Sequence, residues 1–310
     1  MDLRTPLVLD GGLSNQLAAQ GCDLSGGLWS ARLLADDPGQ LVAAHAAYLR
    51  AGARVLITAS YQASFEGFAR RGIGRGEAAR LLRRSVTLAR RAAAREAERS
   101  AGAGEKDGGR VLVAASVGPY GAALADGSEY RGRYGLSVAA LERFHRPRIE
   151  ALAEAGPDLL ALETVPDADE AEALLGAAAG CGLPVWLSYT VAGGRTRAGQ
   201  PLPDAFAVAA GNKQVAAVGV NCCDPAEVTD AVRQAVAVTG RPAVAYPNSG
   251  ERYEARGGGW HGPVTFAPVL AADWYAAGAR LIGGCCRVGP DTIARLPAVL
   301  AAAAGIHPGT

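Results

Sequence analysis

The sequence is poor in residues on which many enzyme classes rely. Only Lys106 and Lys213 are lysines among its 31 basic residues, and it holds four histidines, one methionine and six cysteines in 310 residues. Six cysteines over that length are too few for a disulfide scaffold. Charge of one sign is missing too. The formal net charge is +1, from 31 basic and 30 acidic residues, which argues against a nucleic-acid surface or a polybasic membrane anchor. Long hydrophobic runs are absent: no stretch approaches the roughly 18–20 apolar residues of a membrane span. The opening MDLRTPLVLDGG has no cleavable signal. The expectation is a cytoplasmic protein without membrane or nucleic-acid partners, its cysteines kept as thiols by a reducing compartment. Nothing in the composition separates a monomer from a homo-oligomer.

What is present is a core. Apolar residues make up 49% and charged residues 20%, which excludes global disorder. Short apolar runs recur at 6–9, 54–58, 111–116, 159–163, 185–189, 216–221, 243–246 and 280–284. Each is nearly continuous in apolar residues, as a strand buried on both faces requires. Amphipathic segments follow most of them, with helices predicted over 39–52, 76–100, 137–155, 167–178, 224–238, 264–278 and 290–303. Asp36-Asp37-Pro38 and Asp224-Pro225 are helix starts. Eight strands alternating with helices predict one α/β domain over 1–310, a single (β/α)8 TIM-type barrel with long loops at its C-terminal face. The doubly wound alternative would want G-x-G-x-x-G after the first strand, and VLDGGLS lacks that spacing. The low-complexity stretch 101–110 (AGAGEKDGGR) falls at the opposite end of the barrel.

Active sites of such barrels sit at the C-terminal strand ends. Read in order, those ends carry Asp10-Gly11-Gly12, Thr58 to Gln62, Ser116 to Pro119, Glu163-Thr164, Ser188 to Thr190, Asn221-Cys222-Cys223, Tyr246 to Ser249 and Gly283-Gly284-Cys285-Cys286. Four of the six cysteines thus fall as two adjacent pairs on strands six and eight, near enough to share one metal. Three thiolates with one open position is a catalytic zinc arrangement. Cys285 and Cys286 reach one metal only across a sharp turn, which Gly283-Gly284 would permit. One member of the 222–223 pair should face the metal and the other should point away. Free cysteine also serves as a small buried hydrophobe, and that is the better reading for Cys22 and Cys181. A Schiff-base enzyme on this barrel would need a lysine at a strand end; Lys106 lies in the low-complexity loop and Lys213 before strand six, at the wrong rim.

These motifs resemble the homocysteine S-methyltransferase family over essentially the whole chain. The stretches that carry the resemblance are DGGLSNQL (10–17), TASYQAS (58–64), SVGPYGAALADGSEYRGRYG (116–135), LETVP (162–166), GVNCCDP (219–225), YPNSGE (246–251) and GGCCR (283–287). The segment GPYGAALADGSEYRG is similar to the branch that uses S-methylmethionine or S-adenosylmethionine as methyl donor. Ser14-Asn15 departs from the commoner Ala or Ser followed by Thr and leaves Asp10 and Gly11 intact. The resemblance implies zinc-dependent methyl transfer to homocysteine, giving methionine. It implies Cys222, Cys285 and Cys286 as Zn2+ ligands and does not extend to Cys223.

Chemistry fits those residue types. A zinc-bound thiol is a thiolate at neutral pH, so no side-chain base is needed, and a sulfonium methyl is already electrophilic. In-line placement is the remaining task. Glu163 and Asp10 are candidates for the homocysteine ammonium. Backbone N–H groups around Gly11 and Gly12 are candidates for its carboxylate. Asn221 and Asn248 could orient ligands or substrate, or act structurally. The sulfonium should prefer aromatic faces, with Tyr61, Tyr120, Tyr130, Tyr189 and Trp260 as rim candidates, the last in the Gly-rich loop ERYEARGGGWHGP. His45, His145 and His307 are not ligand candidates. Two other readings stay open: a betaine-using or selenium-methylating relative, and a thiol metal-binding or redox barrel without turnover.

Overall fold

Strands buried on both faces have nowhere to go but between two apolar layers, and closing the sheet on itself supplies both. The computed structural model describes residues 3–24, 28–103, 109–254 and 259–306. The apolar runs form β1 (Leu7–Val8), β2 (Val55–Ile57), β3 (Leu112–Val117), β4 (Leu159–Val165), β5 (Val185–Tyr189), β6 (Val215–Asn221), β7 (Ala243–Tyr246) and β8 (Ala279–Ile282). They pair in parallel in the order β1-β8-β7-β6-β5-β4-β3-β2. A parallel bridge between Leu9 and Val55 joins the two ends. Beside it, Asp10 N–H donates to Val55 O at 3.1 Å and Arg54 N–H to Val8 O at 2.7 Å. The sheet is therefore a barrel, as the alternation predicts.

The strand interior is filled by Leu9, Val55, Ile57, Leu159, Val244, Tyr246 and Leu281 around Trp186. Alanines 114, 161 and 217 in the same cluster leave room for that indole. The opposite strand faces join a separate, larger core under the helices.

The outer ring is α1 (Pro38–Arg50), α2 (Arg75–Gly102), α3 (Val138–Ala153), α4 (Ala168–Ala178), α5 (Leu202–Ala207), α6 (Pro225–Thr239), α7 (Leu270–Ala277) and α8 (Leu296–Ala303). Pro38 and Pro225 open their helices as expected, and the Asp224 carboxylate caps α6 by accepting from Ala226 N–H at 2.9 Å. Two predicted helices are shorter. The segment 264–269 stays out of α7 because Thr265 and Phe266 N–H both donate to Ser249 O at 2.9 Å. The segment 290–303 splits into Pro290–Ile293 and α8, where Pro297 sits in the first turn and has no N–H to continue the helix. The six-residue α5 was too short to be read by periodicity. His45 and His145 lie on ring helices and are fully buried. His307 and Lys106 lie outside the described residues. Among the described residues no helix is long and apolar enough to cross a membrane.

Candidate metal centre and its cavity

Cys222 follows the last residue of β6, and Cys285 and Cys286 stand three and four residues past β8, with β7 between the two strands. Their Sγ atoms converge: 2.8 Å between Cys222 and Cys285, 3.9 Å between Cys222 and Cys286, and 3.9 Å between Cys285 and Cys286. They are the group of potential metal ligands found among the described residues. Hydrogen bonds to Cys222 and Cys286 push the Cys285 thiol up, while those to Cys222 and Cys285 pull Cys286 down. Three thiols so confined ionise together only beside a cation. The donor set and its convergence fit a thiolate-bound metal.

The backbone is bent to achieve this. Cys222 adopts φ 50° and Arg287 φ 63°, a region that non-glycine residues enter only when surroundings hold them. Cys222 N–H donates to Tyr246 O at 3.1 Å, and its carbonyl accepts from Thr190 Oγ1 at 3.1 Å. The other pair is tied to the end of β7: Cys286 N–H donates to Asn248 Oδ1 at 3.1 Å, and Ser249 N–H to Cys286 O at 3.0 Å. The expected role of Gly283-Gly284 needs correction. Neither has positive φ; they are needed for close approach. A Cβ at Gly283 would lie 2.6 Å from Leu9 Cβ, and one at Gly284 2.4 Å from Val288 Cγ1. Cys223 is buried against the outer core and lines an adjoining cavity, and it is not among the converging thiols.

The thiols line a cavity of about 620 Å³ at the C-terminal rim. Gly11, Gly12 and Glu163 line it too. Glu163 is held by a hydrogen bond from Ser116 Oγ. Burial pushes its carboxyl up to about 8, against the Ser116 bond and with the help of Cys222. Asp10 is not among the lining residues. It lies fully buried beneath them, where Oδ2 accepts from Ile57 N–H at 2.8 Å and Oδ1 from Tyr246 OH at 3.0 Å. The Gly12 N–H is already committed, donating to Val288 O at 3.0 Å, so it is not the substrate-carboxylate donor expected from the sequence. Asn221 lies behind the wall, bonded to Thr164 and Ser188. Asn248 orients Cys286 and lines an adjoining cavity of about 430 Å³ with Arg197, Glu227 and Glu251.

Of the five candidate aromatics, Tyr61, Tyr130 and Trp260 line the main cavity. Tyr189 is core, its hydroxyl on Ala205 O at 2.7 Å and its ring against Phe206. Tyr120 packs on Tyr134 and Phe144. The sequence places Ser116 and Tyr246 at strand ends and Glu129 in the 116–135 stretch, but assigns no role to any of the three. Sequence reasoning missed a buried support beneath the loop that follows β3. There Glu170 accepts from His145 Nε2 at 3.0 Å and from Tyr120 N–H at 2.5 Å, and Arg148 donates to Gly118 O. The His145–Glu170 contact has no motif to announce it; the nearest signal was a histidine and an arginine on the apolar face of α3.

Comparison with known proteins agrees with this geometry. The family profile described as homocysteine S-methyltransferase matches residues 7–300. The chain is 47% identical over 305 residues to the homocysteine S-methyltransferase of Escherichia coli (strain K12), covering 96% of each. It is 40% identical over 304 residues to the homocysteine S-methyltransferase YbgG of Bacillus subtilis (strain 168), covering 96% of this chain and 95% of that one. A crystal structure of the homocysteine methyltransferase MmuM from Escherichia coli in a metallated form matches with a TM-score of 0.82 at 44% identity, covering 95% of this chain and 96% of that one. The chain belongs to the homocysteine S-methyltransferase family.

Proposed function

We propose that the protein transfers a methyl group from a sulfonium donor, S-methylmethionine or S-adenosylmethionine, to homocysteine, forming methionine, with Zn2+ held by Cys222, Cys285 and Cys286. The observation that carries this reading is the convergence of those three thiols on a cavity that also presents Glu163. Zinc bound there supplies the positive charge that keeps an acceptor thiol deprotonated near neutral pH. The acceptor sulfur lone pair forms the new C–S bond as the donor C–S bond breaks. The bonding pair stays with the departing sulfur, which leaves as a neutral thioether, and the thiol proton goes to solvent.

The chain's own part is placement. Glu163, oriented by Ser116, takes the homocysteine ammonium, whose charge favours the ionised carboxylate that burial alone disfavours. Asp10 acts from beneath, through Tyr246, which lines the cavity. Gly11 and Gly12 let the substrate backbone approach the floor. Asn221 and Asn248 hold the ligand-bearing turns. A cytoplasmic location belongs to the same reading, since a reducing compartment keeps three adjacent thiols available.

A donor panel tests it. S-methylmethionine, S-adenosylmethionine and betaine are each offered with homocysteine, and methionine formed per unit time is measured. A sulfonium should outrun betaine, with about one zinc per chain by elemental analysis. Turnover by the metal-stripped protein at the same rate would remove zinc from the reading; betaine as best donor would remove the sulfonium.

A further inference from the structure

Glu129 is a carboxylate in the cavity wall for which acceptor binding has no use. It lies in the 3-10 turn Ser128–Tyr130, lines the same cavity as the thiols, and is only 4% exposed. Its Oε2 is buried and has no hydrogen-bond partner. An unpartnered buried carboxylate oxygen is costly, and burial pushes this carboxyl up to about 7. The backbone is closely packed at this turn, where a Cβ at Gly121 would lie 2.4 Å from Glu129 N. The base of its loop is fixed by Arg148 on Gly118 O and by Glu170 on Tyr120 N–H. Around Glu129 the wall carries Tyr61 and Tyr130, with Asp126 nearby at the exposed edge, one oxygen of which caps Ser128 N–H at 3.0 Å.

We infer that Glu129 binds the α-ammonium of the methyl donor and so selects amino-acid sulfoniums, an assignment that rests on the sulfonium reading above. The choice of ammonium over sulfonium follows from the reaction. The sulfonium loses its charge on transfer, so a carboxylate set against it would stabilise the ground state and slow the step. The ammonium keeps its charge throughout, and a carboxylate on it binds both states equally. The polarisable faces of Tyr61 and Tyr130 are the better neighbours for the sulfonium.

Glu129→Gln keeps the shape and removes the charge. For the zinc-loaded protein, the S-methylmethionine Kd by calorimetry and its KM should rise roughly 10-fold or more, with kcat and the homocysteine KM nearly unchanged. Dimethylsulfoniopropionate, a sulfonium acid without an ammonium, is the control competitor; its inhibition constant should be the same in both proteins. A smaller rise for S-methylmethionine overturns the assignment. So does an equal loss for the ammonium-free competitor, which would put Glu129 on the sulfonium, or a matching loss for homocysteine, which would put it on the acceptor. A wild-type protein that makes no methionine from S-methylmethionine sinks the sulfonium reading itself; an active wild type with an indifferent variant sinks only Glu129.

Discussion

Asn221 grips Thr164 at two points: its Oδ1 accepts the Thr164 N–H at 2.7 Å, and its Nδ2 donates to Thr164 Oγ1 at 2.7 Å. Asn221 immediately precedes the thiol Cys222, and Thr164 immediately follows the carboxylate Glu163. One amide therefore ties the segment that bears the Cys222 thiol to the one that bears the Glu163 carboxylate, the proposed metal ligand and ammonium partner. Thr164 and Cys222, the residues it links, both have positive φ, 58° and 50°. Asn221→Ala should weaken metal binding by about 10–100-fold and raise the homocysteine KM in the same variant. Competition with a chromophoric zinc chelator and steady-state kinetics read the two effects. A change in only one would show that the clamp does not couple them.

The two adjacent cysteine pairs are not equivalent. Cys222→Ala, Cys285→Ala and Cys286→Ala should each abolish bound zinc and turnover. Cys223→Ala removes only a sulfur from the outer core and should cost about 1 kcal/mol of stability while zinc content and activity persist. Elemental analysis with an activity assay distinguishes them, and full activity in Cys285→Ala would remove the site assignment.

Glu163 makes the metal-free protein pH-sensitive. Its folded value of about 8 lies above the ordinary 4.5. Between those values the folded protein keeps a proton that the unfolded chain has shed, so stability from this group is present at low pH and falls as pH rises toward 8. Glu163→Gln should therefore stabilise the ligand-free protein at pH 8, on the order of 2 kcal/mol, and hardly at pH 4, while raising the homocysteine KM. Urea midpoints at the two pH values test the sign.

Arg148 is fully buried under the loop after β3, with burial lowering its guanidinium to about 10 and the Glu170 charge opposing that shift. Arg148→Met should destabilise by about 3 kcal/mol, because it removes the bonds to Gly118 O and His145 Nδ1 and leaves buried Glu170 without the nearby positive charge. Adding Glu170→Gln should recover part of that loss. The donor KM should rise in the single variant as the loop loses its anchor at Gly118, with urea titrations and donor kinetics as the checks.

Apolar continuity and alternation with amphipathic helical segments made the eight strands readable, and the cysteine pairs at two strand ends marked the candidate centre. What escaped has physical reasons. Glu129 sits in a polar loop sequence where nothing distinguishes a solvated glutamate from a buried one. Tyr246 ends a strand whose alternation alone does not say that its hydroxyl reaches back to Asp10. The carboxylate of Asp10 and the N–H of Gly12 sit at the expected rim, but the hydrogen bonds that occupy them come from Ile57, Tyr246 and Val288, far away in sequence. The bend near the thiols was expected at glycines and occurs instead at Cys222 and Arg287, where tertiary hydrogen bonds override local preference.

The closing seam of the barrel has a consequence for how the protein is made. β1 meets β2 through the bridge at Leu9–Val55, both made early, and its pairing with β8 is the contact that completes the ring. Cys285 and Cys286 lie just past that same last strand, 63 and 64 residues after Cys222. During translation the other edge of β1 must wait for the last strand, and Cys222 must wait with it. Sealing the ring and gathering the three sulfurs are thus one late event. A nascent chain interrupted before Gly283 would own one thiol of the triad and an open sheet, so metal would be loaded only onto finished barrels.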